Sequence, residues 1–357
     1  MRSARGKNND QGRQKIARGP WWVLFLFVPL LQGCYTTREV GIQVLHPPEK
    51  IFFNTPRNIV LLNRMLEEKR WNDTLIFHDL KVPVKMYHEI SWKTIYGFTD
   101  VASDSPWTEN ILFDSVFVDS VETMPPPLPK DQRDRIMDRN EATTCVDLSG
   151  LWLSDSIYTK EEFMISDGED GGGDWFTVVN VILTIQTSWY LYQREDTLPM
   201  DSTLLLDTLH LSSAGFSYRD AVGRLPNIRK AIDDLASMAG QHNAYRIFPV
   251  WDPVTRIYYT GSQKKMKEAA RYVSKNQWMA AALIWKKLAL TAGRKLAAKA
   301  AFNMALVSEI NDKLDIAVSW LQRSLEMDDS PVTRNYLDIL KGRIEDYHKM
   351  NLKTSGS

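Results

Sequence analysis

The sequence predicts an α+β fold, in which a mixed α/β sheet domain comes first and an all-α region of helical repeats follows. Three observations predict it. Apolar and polar residues alternate from Val179 to Leu191, which is the period of a long strand with one face in a core. Strand and helix patterns are mixed along residues 58–261. From Ser262 onward the strand patterns stop and alanine-rich helical stripes begin.

Length and composition are those of a globular protein with room for two domains. The chain has 357 residues, of which 44% are hydrophobic and 25% are charged, so a large core is expected. Its 44 basic and 44 acidic residues cancel, but residues 1–33 hold six basic and one acidic, which leaves 38 basic against 43 acidic. A slightly acidic body gives no electrostatic reason for nucleic acid to bind, so no nucleic-acid partner is predicted.

The N-terminus has the features of an export signal that ends in a lipidation site. After a basic leader, Trp21 to Leu31 is an unbroken apolar stretch of 11 residues. A membrane-spanning helix needs about 20 residues, so this stretch suits the hydrophobic region of a signal peptide instead. The sequence Leu31-Gln-Gly33-Cys34 follows and resembles the lipobox of bacterial lipoproteins. We therefore predict a signal peptide over residues 1–33, cleavage between Gly33 and Cys34, and acyl chains such as palmitate on Cys34 as the membrane anchor.

Residues 34–57 contain prolines and are predicted to be a tether, after which the α/β domain spans residues 58–261. The span from about residue 63 to residue 97 has a mixed pattern and is left unassigned. The elements predicted around it are a buried strand at Asn58–Asn63, a proline break at Met124–Lys130, a polar helix at Asp131–Glu141 and a strand at Thr144–Leu153.

The second half of this domain is predicted in more detail. The strand at Val179–Leu191 is followed by a helix that begins after Asn227 and ends at Gly240, since these residue types favour helix caps. Two further strands are then predicted, on either side of a turn at Asp252-Pro253.

Residues 262–350 carry a helical repeat, and residues 351–357 are predicted to be a disordered tail. Ala269 and Ala281 recur 36 residues later as Ala305 and Ala317, and large apolar residues recur with them. Small residues at this spacing are typical of helical hairpins that stack on one another. The region resembles tetratricopeptide repeats, although the period is two residues too long and Asp329 stands where the closing proline is usual. Two unrelated helical hairpins are the alternative.

No constellation of residues predicts a catalytic centre, a cofactor or a metal site. The histidines are scattered, and His88-Glu89 lacks the second ligand of a zinc-protease motif because Trp92 stands there. The acidic loop at residues 167–174 offers carboxylates for calcium without the spacing of a calcium-binding hand, so a solvated turn is predicted. Of the many tryptophans, Trp189 and Trp285 follow core patterns, whereas exposed ones could stack on sugars.

Several segments are similar to a family of Bacteroidota envelope lipoproteins in which an α/β domain precedes a tetratricopeptide-like tail. The likeness implies that architecture and a place in the cell envelope. The family has no assigned activity, so the likeness implies no reaction. The segments that carry it are Val44–Glu49, Arg57–Arg64, Trp189–Tyr192, Arg246–Pro253, Arg256–Tyr259 and Ala300–Ala305.

The predicted function is that of a lipid-anchored scaffold, not an enzyme, that binds a protein or peptide through its helical repeats. Stacked helical pairs form a concave surface suited to a peptide or a partner's helix. Its apolar side chains are covered either by the α/β domain or by an outside partner. A glycan-binding lipoprotein and a hydrolase with unrecognised catalytic residues are the alternative functions. The residues predicted on the inner surface are Met266, Val273, Lys299, Phe302, Leu306 and Glu309.

The residues after the anchor favour an outer-membrane protein that faces the periplasm. Tyr35-Thr-Thr-Arg38-Glu39 contains one acid and one base. Bacteroidota lipoproteins that are sent to the cell surface usually carry an acidic cluster at this place, and this chain lacks one.

Overall fold

The architecture confirms the predicted fold class, since an α/β sheet domain is followed by a run of helices. The computed structural model describes residues 37–50, 57–77, 80–165 and 173–354. Its strands are β1 (Thr37–His46), β2 (Asn58–Leu66), β3 (Thr74–Phe77), β4 (Leu80–Pro83), β5 (Asn110–Val118), β6 (Thr144–Ile165), β7 (Gly173–Gln193), β8 (Asp201–Gly215) and β9 (Val250–Tyr259). Its helices are α1 (Val84–Ser103), α2 (Lys130–Arg139), α3 (Tyr218–Gly223), α4 (Ile228–Ile247), α5 (Lys264–Val273), α6 (Trp278–Thr291), α7 (Arg294–Ile310), α8 (Leu314–Met327) and α9 (Pro331–Thr354).

Within the described residues, the main sheet has the strand order β5-β2-β6-β7-β8. Strand β2 runs parallel to both β5 and β6, whereas β6, β7 and β8 pair antiparallel. The long alternating strand is confirmed as β7. It pairs with β6 along a hairpin that continues from Thr144↔Gln193 to Ile165↔Gly173. Among the described residues, β5 and β8 form the two edges of the sheet.

Helices α1 and α4 pack together on one face of the sheet and cross at two glycines. A Cβ at Gly97 would lie 2.1 Å from the carbonyl oxygen of Ser237, and one at Gly240 would lie 1.8 Å from that of Thr94. No side chain fits at either position, so each glycine allows close helix packing. The prediction that α4 ends at Gly240 is therefore wrong, because this glycine serves the helix crossing and α4 continues to Ile247.

The opposite face of the sheet is covered by α2 and the proline-rich segment before it. Cys145 is fully buried in this layer, and burial raises the pKa of its thiol well above the ordinary value. A buried ion pair holds the segment in place. The Arg64 guanidinium donates to both carboxylate oxygens of Asp147, each at 3.1 Å from Nε, and to the carbonyl oxygen of Pro126 at 2.8 Å. Because Cys145 is fully buried and its pKa is raised, its thiol has the properties of a structural cysteine and not of a nucleophile.

A two-stranded ribbon, β1–β9, leads from the sheet domain to the helices. The two strands pair antiparallel from Thr37↔Tyr259 to His46↔Val250. The prediction of a tether over residues 34–57 therefore needs correction for residues 37–46, and Asp252-Pro253 is not a turn. Pro253 lies opposite Gln43 in the middle of the ribbon. A proline can occupy such a strand when its nitrogen faces away from the partner strand, because no hydrogen bond is then lost.

The C-terminal helices form two antiparallel pairs, α5–α6 and α7–α8, and α9 packs after them. The four alanines of the predicted repeat, Ala269, Ala281, Ala305 and Ala317, are all completely buried. Trp285 is buried beside them, as predicted, and Trp189 is buried in the sheet domain. Helix α9 extends into the predicted tail as far as Thr354. None of the described helices is both long and apolar enough to cross a membrane.

Candidate functional site: an aromatic groove at the sheet edge

The inner surface predicted on the helical repeats lies under the β1–β9 ribbon. Met266, Val273 and Leu306 belong to one buried cluster, against which ribbon residues such as Val40 and Ile42 pack. Phe302 is buried with its ring centroid 5.0 Å from that of Tyr259 in β9. The Nζ of Lys299 lies 5.6 Å from the centroid of the same tyrosine ring. The chain itself therefore covers this surface, which agrees with the first of its two predicted alternatives, cover by another part of the chain instead of an outside partner.

Glu309, the sixth residue of that surface, is buried and joins the ribbon to two helices. Arg256 of β9 donates to its carboxylate, with Nη2 at 3.0 Å from Oε1. Arg343 of α9 donates to the same oxygen at 2.6 Å, and the hydroxyl of Tyr336 donates to Oε2. Asn303 also holds the ribbon, accepting from the main-chain N–H of Tyr259 at 2.8 Å and donating to its carbonyl oxygen at 2.7 Å.

Two other predicted features lie outside the described residues. Gly33 and Cys34, the predicted cleavage and lipidation positions, precede residue 37, and most of the acidic loop falls within residues 166–172. In the described part of the chain, no group of three or more His, Cys, Asp or Glu side chains is placed to hold a metal ion.

A groove that the sequence did not predict opens between α1, the edge strand β5 and the 3₁₀ turn at Glu68–Arg70. Its cavity volume is about 490 Å³. We call it the aromatic groove, and its aromatic members are Trp71, Trp92, Tyr96 and Phe117. Trp71 is 39% exposed, Tyr96 51% and Phe117 53%, values that are high for large aromatic side chains. A cluster of exposed aromatic residues around a cavity is a common feature of binding sites.

One stripe of α1 supplies most of the groove. Lys85, Glu89, Trp92, Lys93 and Tyr96 recur at helical spacing on the face of α1 that lies beside β5 and opens to solvent. The rings of Trp92 and Tyr96, one turn apart, are stacked with centroids 5.8 Å apart. The opposite stripe of α1 is buried against the sheet and α4. The helix therefore presents aromatic rings where an amphipathic surface helix usually presents polar side chains.

The indole of Trp71 is held in place by a buried histidine. Its Nε1–H donates to Nδ1 of His88 at 3.0 Å, and the two rings meet edge to face with centroids 6.1 Å apart. His88 is only 7% exposed. Burial lowers the pKa of His88, although the charge of Glu68 and the carbonyl group of Leu66 act in the opposite direction. An Nδ1 that accepts a hydrogen bond carries no proton, so the geometry and the lowered pKa both describe a neutral imidazole.

The wall of the groove opposite α1 is the edge strand β5. Phe113 and Phe117 lie opposite Leu61 and Met65 of β2, and the ring of Phe113 contacts both Trp92 and Tyr96, with centroids 6.3 and 6.1 Å away. Among the described residues β5 pairs only with β2. Its sequence contains neither lysine nor proline, the residues that most often protect an exposed edge from other strands.

The main-chain groups of alternate β5 residues point away from β2. The N–H of Asn110 donates to the carbonyl oxygen of Arg57, which directly precedes β2, at 3.2 Å. The N–H of Ser115 instead donates to the carboxylate of Asp114 at 2.8 Å. Because successive residues of a strand face opposite ways, the N–H and C=O groups of Phe113, Ser115 and Phe117 face outward. These groups are the ones that another strand would use.

The charges around the groove are balanced. Lys85 and Lys93 are opposed by Glu68 and Glu89, and Glu89 accepts from Arg229 of α4 at 2.5 Å. A balanced rim favours no strongly charged ligand. What the arrangement offers is stacking surface, a row of outward-facing main-chain groups and a few polar side chains for orientation.

Comparisons with known proteins add little to this geometry. Residues 108–259 match the model of a domain of unknown function (DUF8603), and residues 267–342 match that of another (DUF6340). The first match ends with β9 and the second lies within α5–α9, in agreement with the division seen in the fold. No curated protein sequence matches the chain.

Two solved structures are distantly similar to the chain. The first is that of a neuraminyllactose-binding hemagglutinin homolog from Helicobacter pylori, with 10% identity and a TM-score of 0.27, over 65% of this chain and 97% of that chain. The second is that of protein XCC0632 from Xanthomonas campestris, with 6% identity and a TM-score of 0.24, over 56% of this chain and 88% of that chain. With TM-scores this low, neither likeness carries an argument about fold or function.

Proposed function

We propose that the protein is a lipid-anchored envelope protein that binds an extended peptide segment of a partner protein along β5. One observation carries the proposal, namely the row of outward-facing main-chain groups on β5 beside the open aromatic groove. A strand added to a sheet edge gains affinity from main-chain hydrogen bonds and specificity from pockets for alternate side chains. The aromatic groove is the pocket on the α1 side of such a strand. The proposed peptide site is thus the sheet edge. It is not the predicted site on the helical repeats, because the ribbon occupies their inner surface.

A selected peptide supplies the probe for this proposal. Random peptides displayed on phage are enriched on the purified mature protein, and the affinity of one winner is measured by fluorescence anisotropy. Trp92→Ala should weaken its binding by about 30-fold, which corresponds to the roughly 2 kcal/mol that an aromatic anchor contributes. Trp251→Ala is the matched control, because Trp251 is an exposed tryptophan on β9. Equal affinities for the Trp92→Ala variant and the wild type would overturn the proposal.

A second pair of variants tests the added strand itself. Phe117→Ala removes a groove side chain, whereas Phe117→Pro also removes an outward-facing N–H without affecting the ladder to β2. A bound peptide strand should therefore lose a further hydrogen bond in the proline variant, worth about 0.5–1.5 kcal/mol. Identical affinities of the two variants would show that the ligand does not pair with β5.

A glycan is a second candidate for the same groove. The exposed rings of Trp71 and Tyr96 and the half-buried ring of Trp92 lie beside lysine and glutamate side chains, so a sugar ring could lie on an aromatic face while its hydroxyl groups reach the rim. A glycan array on the mature protein supplies the probe. A glycan ligand should be lost in Trp92→Ala but should bind equally to Phe117→Pro and Phe117→Ala, which separates it from a peptide.

The anchoring part of the proposal rests on the lipobox-like sequence before Cys34. Replacing Cys34 by alanine should remove a metabolic palmitate label and shift the protein from the detergent phase to the aqueous phase. Acyl chains contribute about 0.8 kcal/mol per buried methylene, so their loss should release the protein from the membrane. A label that persists on the Cys34→Ala variant would contradict the lipidation site.

The proposed location is the periplasmic side of the outer membrane, argued from the missing acidic cluster after Cys34. Protease added to intact cells should then leave the protein whole, and cell lysis should make it cleavable. Cleavage on intact cells would place the protein at the cell surface and would favour the glycan candidate over the peptide.

A further inference from the structure

A second cavity, the apolar cavity, lies between the β6–β7 hairpin and the helices α3 and α4, and its volume is about 220 Å³. Its floor is fully buried and includes Val179 and Val181 of β7 and Leu235 of α4. Most of its lining residues are aliphatic, and the others are Ser154, Asp155, Thr184 and Tyr218. An engineered apolar cavity of about 150 Å³ stays dry and binds benzene, so this one has room for a hydrocarbon of more than six carbon atoms.

The short helix α3 forms one wall, and several hydrogen bonds fix it. The hydroxyl of Ser213 donates to the carbonyl oxygen of Ala221 at 2.6 Å, and Ala221 is completely buried. The carboxylate of Asp220 accepts from the N–H of Phe216 at 3.0 Å and from Nε of Arg224 at 2.9 Å. These hydrogen bonds hold α3 in place, so the cavity is a fixed part of the fold.

The mouth of the cavity is largely apolar, and among the described lining residues the charged one is Asp155. Ile157 and Tyr218 are each 54% exposed and Ile228 is 37% exposed, so large apolar surfaces surround the opening. Asp155 also lines the cavity. It stands two residues from both Leu153 and Ile157 on β6, which places it on the same face of the sheet. It is exposed, and no ion pair or hydrogen bond of its carboxylate is found among the described residues.

We infer that the apolar cavity binds the hydrocarbon chain of an amphiphile whose head group is neutral or cationic. The mostly aliphatic walls accept a hydrocarbon chain and disfavour a polar head group inside the cavity, since burying an unpaired polar group costs free energy. The head group remains at the mouth, where the Asp155 carboxylate attracts a cation and repels an anion. The inference is independent of the proposed peptide site, because the apolar cavity and the aromatic groove share no lining residue.

The first test is a series of alkyl maltosides with six to ten chain carbons, titrated by calorimetry below their micelle concentrations into the mature protein. Each pair of added methylenes should raise the affinity by about tenfold until the cavity is full, after which the affinity should level off. The absence of saturable binding, or an affinity that does not depend on chain length, would overturn the inference.

The head group is tested with octyltrimethylammonium and octyl sulfate, which share one chain. The cation should bind about fivefold more tightly, the size expected of an exposed charge pair. Asp155→Lys should reverse this order, so that the anion binds more tightly than the cation. Because Asp155 is exposed, the substitution should not disturb folding. If the cation still binds more tightly than the anion in the Asp155→Lys variant, Asp155 does not contact the head group.

A variant that fills the mouth tests the location of the site. Ile228→Trp should lower the affinity for all three head groups by about tenfold, since room for two methylenes is lost. Ile316→Trp, at an exposed position of α8, is the matched control. The groove-binding peptide should bind both variants as it binds the wild type, so failure of one proposal is distinguishable from failure of the other. Equal chain binding by Ile228→Trp and Ile316→Trp would show that the chain binds elsewhere.

Discussion

The inner surface of the helical repeats, on α5 and α7, and the aromatic groove, mostly on α1, both present large side chains from helices, yet only the groove is open. Over the repeats, β9 brings Tyr258 and Tyr259 onto the helices and fills the concave face. Over α1, the neighbouring edge strand leaves Trp92 and Tyr96 in contact with solvent. The difference shows that a stripe of apolar residues does not identify a binding surface until the segment that packs on it is known.

The charged residues separate the two regions most clearly. Glu309 of the repeats is buried with Arg256 and Arg343, which come from two different elements of the chain. Such a cluster is stable only when every partner is in place. Lys85 and Lys93 of the groove are exposed to solvent, so their charges need no partner for the fold to be stable when the groove is empty. Buried charges therefore mark the surface that the chain keeps closed, and exposed charges mark the one that can receive a ligand.

The largest expected effect is that of opening the covered surface. Glu309→Ala leaves Arg256 and Arg343 partly buried without their carboxylate, which should cost about 3–5 kcal/mol of unfolding free energy. Urea denaturation measures the loss. Glu326→Ala, at an exposed position of α8, should stay within about 0.5 kcal/mol of the wild type. A Glu309→Ala variant as stable as the control would show that the ribbon does not depend on this cluster.

A smaller effect is expected where the repeat helices cross. Ala317 is completely buried among Phe302, Leu321 and Leu340, so Ala317→Leu should overpack the site and cost about 1–3 kcal/mol. Thermal unfolding measures this loss. Gln322→Leu inserts the same side chain at an exposed position of the same helix and is the control. Equal melting temperatures of the two variants would contradict the alignment of the repeats.

The sequence predicted those elements whose period is long and regular. The alternation in β7 and the alanine spacing of α5–α8 each extend over many residues, so local exceptions do not hide them. The errors fall where tertiary contacts override local signals. Gly240 has the residue type of a helix cap but serves the crossing with α1, and Pro253 has that of a turn but lies in a strand whose partner is 210 positions away in the sequence (Gln43↔Pro253).

The aromatic groove could have been found only in part. Trp92 and Tyr96 lie on the outer stripe of α1, so a helix predicted at residues 84–103 would have placed two aromatic rings where polar residues are usual. The contribution of Trp71 and Phe117 could not be predicted. These residues reach the groove from a turn and from a parallel strand, and their approach depends on the sheet order and on the bond from Trp71 to His88.

The smallest expected effect concerns how the stability of the protein around the aromatic groove depends on pH. Because burial lowers the pKa of His88 in the folded protein below the ordinary value of about 6.5, protonation favours the unfolded chain. The contribution of neutral His88 to the free energy of unfolding is complete when the pH is above the ordinary histidine pKa. It is lost as the pH falls through the lowered pKa of the folded protein. Acidification should also break the bond from the Trp71 indole, which needs an unprotonated Nδ1.

His88→Gln should remove this pH dependence, because a glutamine oxygen can accept from the Trp71 indole and does not titrate. At pH 7.5 the variant should lose at most about 1 kcal/mol of stability, the size of one hydrogen bond. Between pH 7 and 5 its melting temperature should fall less than that of the wild type, and the NMR signal of the Trp71 indole N–H should stay in place. His210→Gln, at an exposed position on β8, controls for the loss of a surface histidine. If His88→Gln and the wild type respond to acid alike, the imidazole does not set the pH dependence of the groove, and the position of Trp71 must be maintained by its ring contacts alone.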